Sequence, residues 1–271
     1  LRLETSPYIR LASAYETVPA SDRPDTMTDS VTTTYEGSLA RILLNRPDRR
    51  NALDERTGED LSAAVEEVSG RDDLAVVVLE GAGDHFCAGW DLSEFGRLSA
   101  ADDDQVASYL VANVHLLRRI ADLPQFTVAF VQGYAIGFGA ALAVSADLAV
   151  ADPGARFYFP EAEFGLVPAV VLPPLVESLG VRAALLSTLT AAPIPADHAL
   201  GMGMVGMVAD AGEREGLVTR LTKLSPGVVR STKRLAAEVA TAPAAEVDRM
   251  VAETGVATLR SEEARRILGE G

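Results

Sequence analysis

The sequence predicts an α/β fold, on two observations: short, nearly continuous apolar runs alternate with longer amphipathic ones, and glycine-rich segments sit where strands give way to loops. Strands are expected at 39–44, 74–79, 126–131 and 148–150. The second and third of these are almost wholly apolar, as strands covered on both faces should be. Helices are expected at 54–68, with Leu61, Val65 and Val68 on one face, and at 106–121, with Val106, Leu110, Val114, Leu117 and Ala121 in register. Beyond Ala169 the strand signals fade, and helices follow at 169–179, 182–189, 196–201, 228–239 and 244–268. No stretch of about 20 to 50 residues recurs as a repeat. The organisation expected is therefore a polar, proline-containing flexible leader at 1–30, with compact structure opening near Met27, an α/β core at 31–190, and a helical region at 191–271 suited to subunit contacts.

Composition narrows the function. Lysine and arginine number 24 against 39 acidic residues, a net charge of −15 that repels nucleic-acid backbones and anionic lipid unless basic residues cluster. No nucleic-acid or membrane partner is expected. The 48% apolar and 23% charged composition is that of a soluble protein, and no apolar run approaches the roughly 18 residues of a span. The lone Cys87 excludes an internal disulfide and a cysteine-built zinc site, so the expected compartment is a reducing cytoplasm. Gly-x-Ser-x-Gly, His-Glu-x-x-His and phosphate-loop motifs are absent. The run Gly81-Ala82-Gly83 lacks the third glycine of a dinucleotide fingerprint, since Phe86 stands there. The three histidines are scattered between a loop and two helices, and no metal site is expected.

Three junctions remain: a basic loop from Leu44 through Arg46, Arg49, Arg50 and Asn51 to Leu53; a small-residue loop from Gly81 through Phe86, Cys87, Ala88, Gly89, Trp90 and Asp91 to Leu92; and Gly133 through Gly137, Phe138 and Gly139 to Ala141, which ends a strand and begins a helix. With Pro160-Glu161 and Gly165-Leu166-Val167-Pro168, these runs resemble the enoyl-CoA hydratase/isomerase (crotonase) superfamily, in family order and spacing from about Thr34 to Val239. The resemblance implies a spiral of ββα turns, a helical C-terminal region that packs homotrimers or hexamers, and an acyl-CoA thioester as substrate, with coenzyme A entering as part of that substrate and no permanently bound cofactor.

The resemblance also assigns roles. Enolate chemistry puts negative charge on the thioester oxygen, and the main-chain amides of Trp90 and Phe138 would hold it. Family hydratases use two glutamates; the matching positions here are Ala141 and Glu161, so one carboxylate is missing. Glu161 alone suits a proton shuttle that shifts a β,γ double bond into conjugation. Phe138 stands where the family has glycine, which requires the amide there to adopt an ordinary φ or the hole to be distorted. Arg49 and Arg50, with Arg46, offer countercharge to CoA. Ala52, Ala88, Trp90, Asp91, Leu92 and Ser93 would line the bound nucleotide or pantetheine arm, and Lys223, Arg230, Lys233 and Arg234 form a second basic cluster. An isomerase is the leading expectation. A single-glutamate hydratase, a thioester hydrolase or decarboxylase, and a non-catalytic acyl-CoA binder stay open, as does an acyl carrier protein in place of CoA.

Overall fold

A computed structural model describes residues 29–268; most of the leader expected at 1–30 lies outside the described residues. The chain opens with β1 (Val31–Glu36) and β2 (Leu39–Leu44), an antiparallel hairpin turned at Gly37, followed by α1 (Glu55–Ser69). Then come β3 (Val76–Gly81), α2 (Leu92–Ala100), α3 (Asp103–Ala121), β4 (Phe126–Val131), β5 (Tyr134–Ile136) and α4 (Phe138–Val144). The chain continues through β6 (Leu148–Ala151), β7 (Arg156–Tyr158), α5 (Leu172–Leu189), β8 (Ile194–Pro195), α6 (Ala196–Gly201) and β9 (Met207–Val208). Four helices close it: α7 (Ala211–Leu221), α8 (Pro226–Thr241), α9 (Ala244–Leu259) and α10 (Glu262–Leu268).

The strands sort into two sheets. The larger has the order β1-β2-β3-β4-β6-β9 and is parallel from β2 onward; the smaller has the order β5-β7-β8. In the units β4-β5-α4 and β6-β7-α5 the first strand joins the large sheet and the second the small one, which makes each ββα unit one turn of a spiral. Successive residues of β3 serve opposite faces: Val77 and Leu79 pack with Leu61, Val65 and Leu117, whereas Val76 and Val78 pack with Val128, Phe130, Val218 and Val229. This two-sided burial is why β3 and β4 read as unbroken apolar runs.

The helix starts follow from side-chain capping. Asp54 accepts from the Thr57 amide at the head of α1, and Asp102 and Gln105 form a reciprocal capping box at the head of α3. Several expected boundaries shift. The strand expected at 74–79 runs from Val76 to Gly81, because the amides of Ala75 and Val76 both bond the Ser38 carbonyl before ladder pairing begins. The helices expected at 169–179 and 182–189 form one element kinked at Gly180, whose φ of 74° no α-helix contains. The last expected helix divides at Arg260 and Ser261. Strand structure also persists past Ala169, in β8 and β9; two-residue strands carry no periodicity to read.

Lys233 fastens the helical region to the sheet, its Nζ donating to Asp147 Oδ2 at 2.7 Å and to the Gln125 carbonyl at 2.9 Å. Arg230 is bound to Asp72. These two cations of the second basic cluster are thus engaged in holding α8, a correction to their expected availability for phosphate. No helix among the described residues is long and apolar enough to cross a membrane.

Candidate active site

The site is built on a short ladder beside the large sheet. Leu53 pairs with Trp90 as an isolated parallel bridge, Cys87 pairs with Ala135 in the same way, and Ala135 pairs onward with Phe157. In the first bridge the Leu53 amide donates to the Gly89 carbonyl at 2.8 Å and the Asp91 amide donates to the Leu53 carbonyl at 2.7 Å. In a parallel bridge of this pattern the central residue's own N–H points away from its partner. The Trp90 amide accordingly has no acceptor among the described residues.

The Phe138 amide is the first N–H of α4, one of the donors a helix leaves unpaired, and it too has no acceptor among the described residues. The two peptides are neighbours: a Cβ placed on Gly89 would lie 2.6 Å from the Ile136 carbonyl oxygen and 3.5 Å from the Phe138 nitrogen. The conformational demand that made Phe138 questionable falls on the residue before it. Gly137 has φ 50° and ψ −116°, open only to glycine, whereas Phe138 is not among the residues with positive φ. A phenylalanine therefore fits without distorting the backbone.

Glu161 follows Pro160 in a 3-10 turn (Glu161–Phe164), and its carboxylate reaches Gly137: a Cβ there would stand 2.8 Å from Oε1. Its Oε2 is buried with no hydrogen-bond partner among the described residues. Burial pushes the carboxyl up to about 7, opposed only by a backbone hydrogen bond. Ala141 is fully buried in α4 and supplies no ionisable group. Glu163 is exposed on the same turn. The arrangement offers two adjacent amide donors and one carboxylate titrating near neutrality, a set able to stabilise an oxyanion and move a proton beside it.

Around this centre Phe138 is buried and its ring stacks on Trp90, with centroids 6.3 Å apart and planes at 25°. Ala52 and Ala88 are buried in a small cluster with Ile136 and Tyr158, and the Ala88 amide donates to the Arg50 carbonyl at 3.0 Å. Arg50 takes φ 51°, and Arg49 precedes it in a 3-10 turn (Pro47–Arg49). Leu92 and Ser93 are exposed at the start of α2, where Asp91 Oδ1 accepts from the Ser93 amide at 3.1 Å and hydroxyl at 2.8 Å.

Arg46 does not belong to the countercharge expected for CoA. Its guanidinium lies 2.9 Å from Asp54 and 3.5 Å from Asp91 and donates to the Ala52 carbonyl, so its charge is compensated within the fold. Sequence reasoning passed over Asn51, which is fully buried: Oδ1 accepts from the Arg46 amide, and Nδ2 donates to the carbonyls of Ala82 and His85. It ties the first junction to the second, and its place in the loop from Leu44 to Leu53 that carries the family resemblance was the available signal. Asn113 and Tyr109, which touch Trp90 from α3, had none. No cluster of potential metal ligands occurs among the described residues.

Comparison with known proteins gives the family. The profile of the enoyl-CoA hydratase/isomerase family matches residues 34–262. The chain belongs to that family. It is an enzyme of the crotonase superfamily, and its fold is the crotonase fold. A Thermus thermophilus protein provisionally named an enoyl-CoA hydratase is 33% identical over 204 residues, 74% of this chain and 81% of that one. An enoyl-CoA hydratase/isomerase from Marinobacter aquaeolei superposes with a TM-score of 0.82 at 28% identity, covering 89% of this chain and 96% of that one. A Thermobifida fusca protein solved in complex with acetoacetyl-CoA superposes with a TM-score of 0.76 at 29% identity, covering 85% of this chain and 94% of that one.

Proposed function

We propose that this family member binds an acyl-CoA thioester and acts as an enoyl-CoA isomerase, moving a β,γ double bond into conjugation with the carbonyl. The observation that carries the reading is a lone carboxylate: Glu161 lies beside Gly137 with a buried oxygen that has no hydrogen-bond partner among the described residues, while Ala141 leaves the other position without an acid or base. Glu161 removes the proton from the α-carbon. The electron pair spreads into a dienolate whose oxygen is held by the Trp90 and Phe138 amides. The protonated Glu161 then delivers the same proton to the γ-carbon, which restores the carboxylate with no net gain or loss of protons. A carboxyl titrating near neutrality suits both halves, because the two directions of transfer then differ little in driving force.

Arg49 and Arg50 are assigned to the anionic nucleotide, with Ala52 and Ala88 leaving room for the pantetheine arm and Asp91, Leu92 and Ser93 bordering it. The single buried thiol suits a reducing cytoplasm. Exposed apolar residues on α5 and α9, Val181, Leu189, Val251 and Leu259 among them, suit burial between copies in a trimer or hexamer. A hydratase is the second reading, favoured by the hydratase name of the Thermus relative. It requires Glu161 to position water alone. Incubation with paired β,γ- and α,β-enoyl-CoA thioesters, followed by mass spectrometry and NMR, separates the two. Conversion of the β,γ isomer without mass change supports isomerisation; gain of one water by the α,β isomer overturns it in favour of hydration.

A further inference from the structure

Two consecutive residues of the first junction, Arg50 and Asn51, take left-handed backbone angles, φ 51° and 56°. A side chain makes that region unfavourable, least so for asparagine, and a left-handed pair persists only where its surroundings hold it. Here the Asn51 side chain does so. It is fully buried; Oδ1 accepts from the Arg46 amide at 2.9 Å, and Nδ2 donates to the carbonyls of Ala82 at 2.9 Å and His85 at 2.8 Å. One N–H and two carbonyls around it admit only this orientation of the amide. The tie crosses the end of β3 over a bare glycine, since a Cβ on Gly81 would lie 2.7 Å from Asn51 Nδ2.

The left-handed pair decides what the residues after it face. The Arg50 carbonyl accepts from the Ala88 amide at 3.0 Å, and Leu53, two residues past Asn51, brackets Trp90 through its bonds to Gly89 and Asp91. The opposite edge of the second junction is fixed elsewhere: the Phe86 amide donates to the Gln132 carbonyl at 2.9 Å and the Cys87 amide to the Tyr134 carbonyl at 3.2 Å. The Phe138 amide is set separately again, by Gly137, whose own amide donates to the Tyr158 carbonyl at 2.7 Å. Of the two donors, the Trp90 amide is therefore the one whose place depends on the turn that Asn51 holds.

We propose that Asn51 is a positioning residue for the oxyanion site: by pinning the left-handed pair to the 82–85 turn, it holds the Trp90 amide where it and the Phe138 amide meet one thioester oxygen. The inference rests on the reading of those two amides as the oxyanion donors and adds the side chain that sets their spacing. A donor preorganised in this way spends nothing on reorientation when charge develops on the oxygen.

Gln125 supplies a matched control. It too is fully buried, and its Nε2 donates to two carbonyls, those of Val68 at 2.8 Å and Arg71 at 3.0 Å, but it precedes β4, whereas the site lies past that strand's other end. Asn51→Gly keeps the left-handed backbone accessible and deletes the ties. Like Gln125→Ala, it leaves two carbonyls without their donor, so the two variants lose stability for the same reason. The readout is the infrared carbonyl stretch of butyryl-CoA, isotope-labelled at the carbonyl carbon and bound to the full chain. Hydrogen bonds to the oxygen soften the C=O bond and lower its frequency. Wild type is expected to lower it relative to free thioester, and Gln125→Ala to keep that downshift. Asn51→Gly should keep about half of it or less, because one of two donors is displaced. Should Asn51→Gly fail to fold, Asn51→Asp, which can satisfy at most one of the two carbonyls, carries the same expectation. A wild-type downshift that the Asn51 variants retain, or that Gln125→Ala loses equally, overturns the positioning role while leaving the oxyanion reading intact. Absence of any downshift in wild type overturns that reading and the positioning role with it.

Discussion

Glu94 in α2 and Glu161 beside Gly137 are both carboxylates drawn in from solvent, and the fold treats them in opposite ways. Glu94 is 5% exposed in α2, but Arg97 meets it at 2.7 Å and shares its own charge with Glu55. Among the described residues Glu161 meets no ion-pairing cation, and one of its oxygens has no donor. Burial alone therefore does not make a carboxylate reactive; burial without a partner does, because only then is the charged form disfavoured until near neutral pH. The pair separates an acid that holds the structure from one free to exchange a proton.

Exchanging each carboxylate for its amide breaks the comparison most sharply. Glu161→Gln keeps shape and removes the base, so turnover of an enoyl-CoA thioester should fall by roughly 10² to 10⁴-fold, the usual contribution of a positioned acid or base. Glu94→Gln should leave kcat within a few-fold of wild type, since it loses only an ion pair at an exposed arginine. Steady-state kinetics on one thioester decides both, and equal losses in the two variants refute the distinction.

The next largest effect is expected at Gly137. An alanine methyl there would enter a backbone region reserved for glycine and stand 2.8 Å from Glu161 Oε1, displacing the carboxylate and turning the Phe138 amide together. A loss of roughly 10² to 10³-fold in kcat/KM is expected, comparable to removal of one oxyanion donor. Circular dichroism should show the fold retained.

These positions also show how much could be read before the structure. The large sheet was legible because β2, β3 and β4 are buried long enough to print apolar runs, and α1 and α3 because each spans several turns of one-sided burial. The strands that carry the site were not. β5 and β7 have three residues each, and the pairings at Trp90 and Cys87 are single bridges, too short to leave a period. β1 was passed over because half of it is exposed and three of its six residues are threonine. Helix α2 was hidden by its exposed, mixed face. At the site, Glu161, Trp90 and Phe138 were legible only through motif resemblance, and that Gly137 rather than Phe138 bears the unusual φ required coordinates. Arg46 misled for a plain physical reason: a basic residue in a loop looks available until the two aspartates folded against it are seen.

The raised Glu161 carboxyl makes two linked pH predictions. As a base it must be ionised, so kcat/KM should rise with pH through about 7 and level off above, with no such limb in Glu161→Gln. For stability the sign is opposite. Between the ordinary glutamate value and about 7 the folded state holds a proton that the unfolded state has released, so stability falls as pH rises through that window. Glu161→Gln escapes this cost and should be more stable than wild type by about 1 to 3 kcal/mol at about pH 8.5, with the gap shrinking towards pH 5.5. Urea denaturation at the two pH values measures it. A gap that does not change with pH shows that the carboxyl titrates normally in the folded protein.

Asp91 provides the smallest effect and the control for the others. It stands next to Trp90, yet its oxygens are committed to the Ser93 amide and hydroxyl and to Arg46, which makes it a helix cap and half of an ion pair. Asp91→Ala should cost about 1 kcal/mol, the typical worth of a cap, and lower the melting temperature by about 2 to 4 °C in a chain of this size. Because neither the Trp90 amide nor Glu161 depends on that side chain for a hydrogen bond, the acidic limb of kcat/KM should stay at about 7 and the maximal rate within a few-fold of wild type. A shifted limb would show that the aspartate's charge reaches Glu161 and that the paired carboxylates take part in setting the proton affinity of the unpaired one.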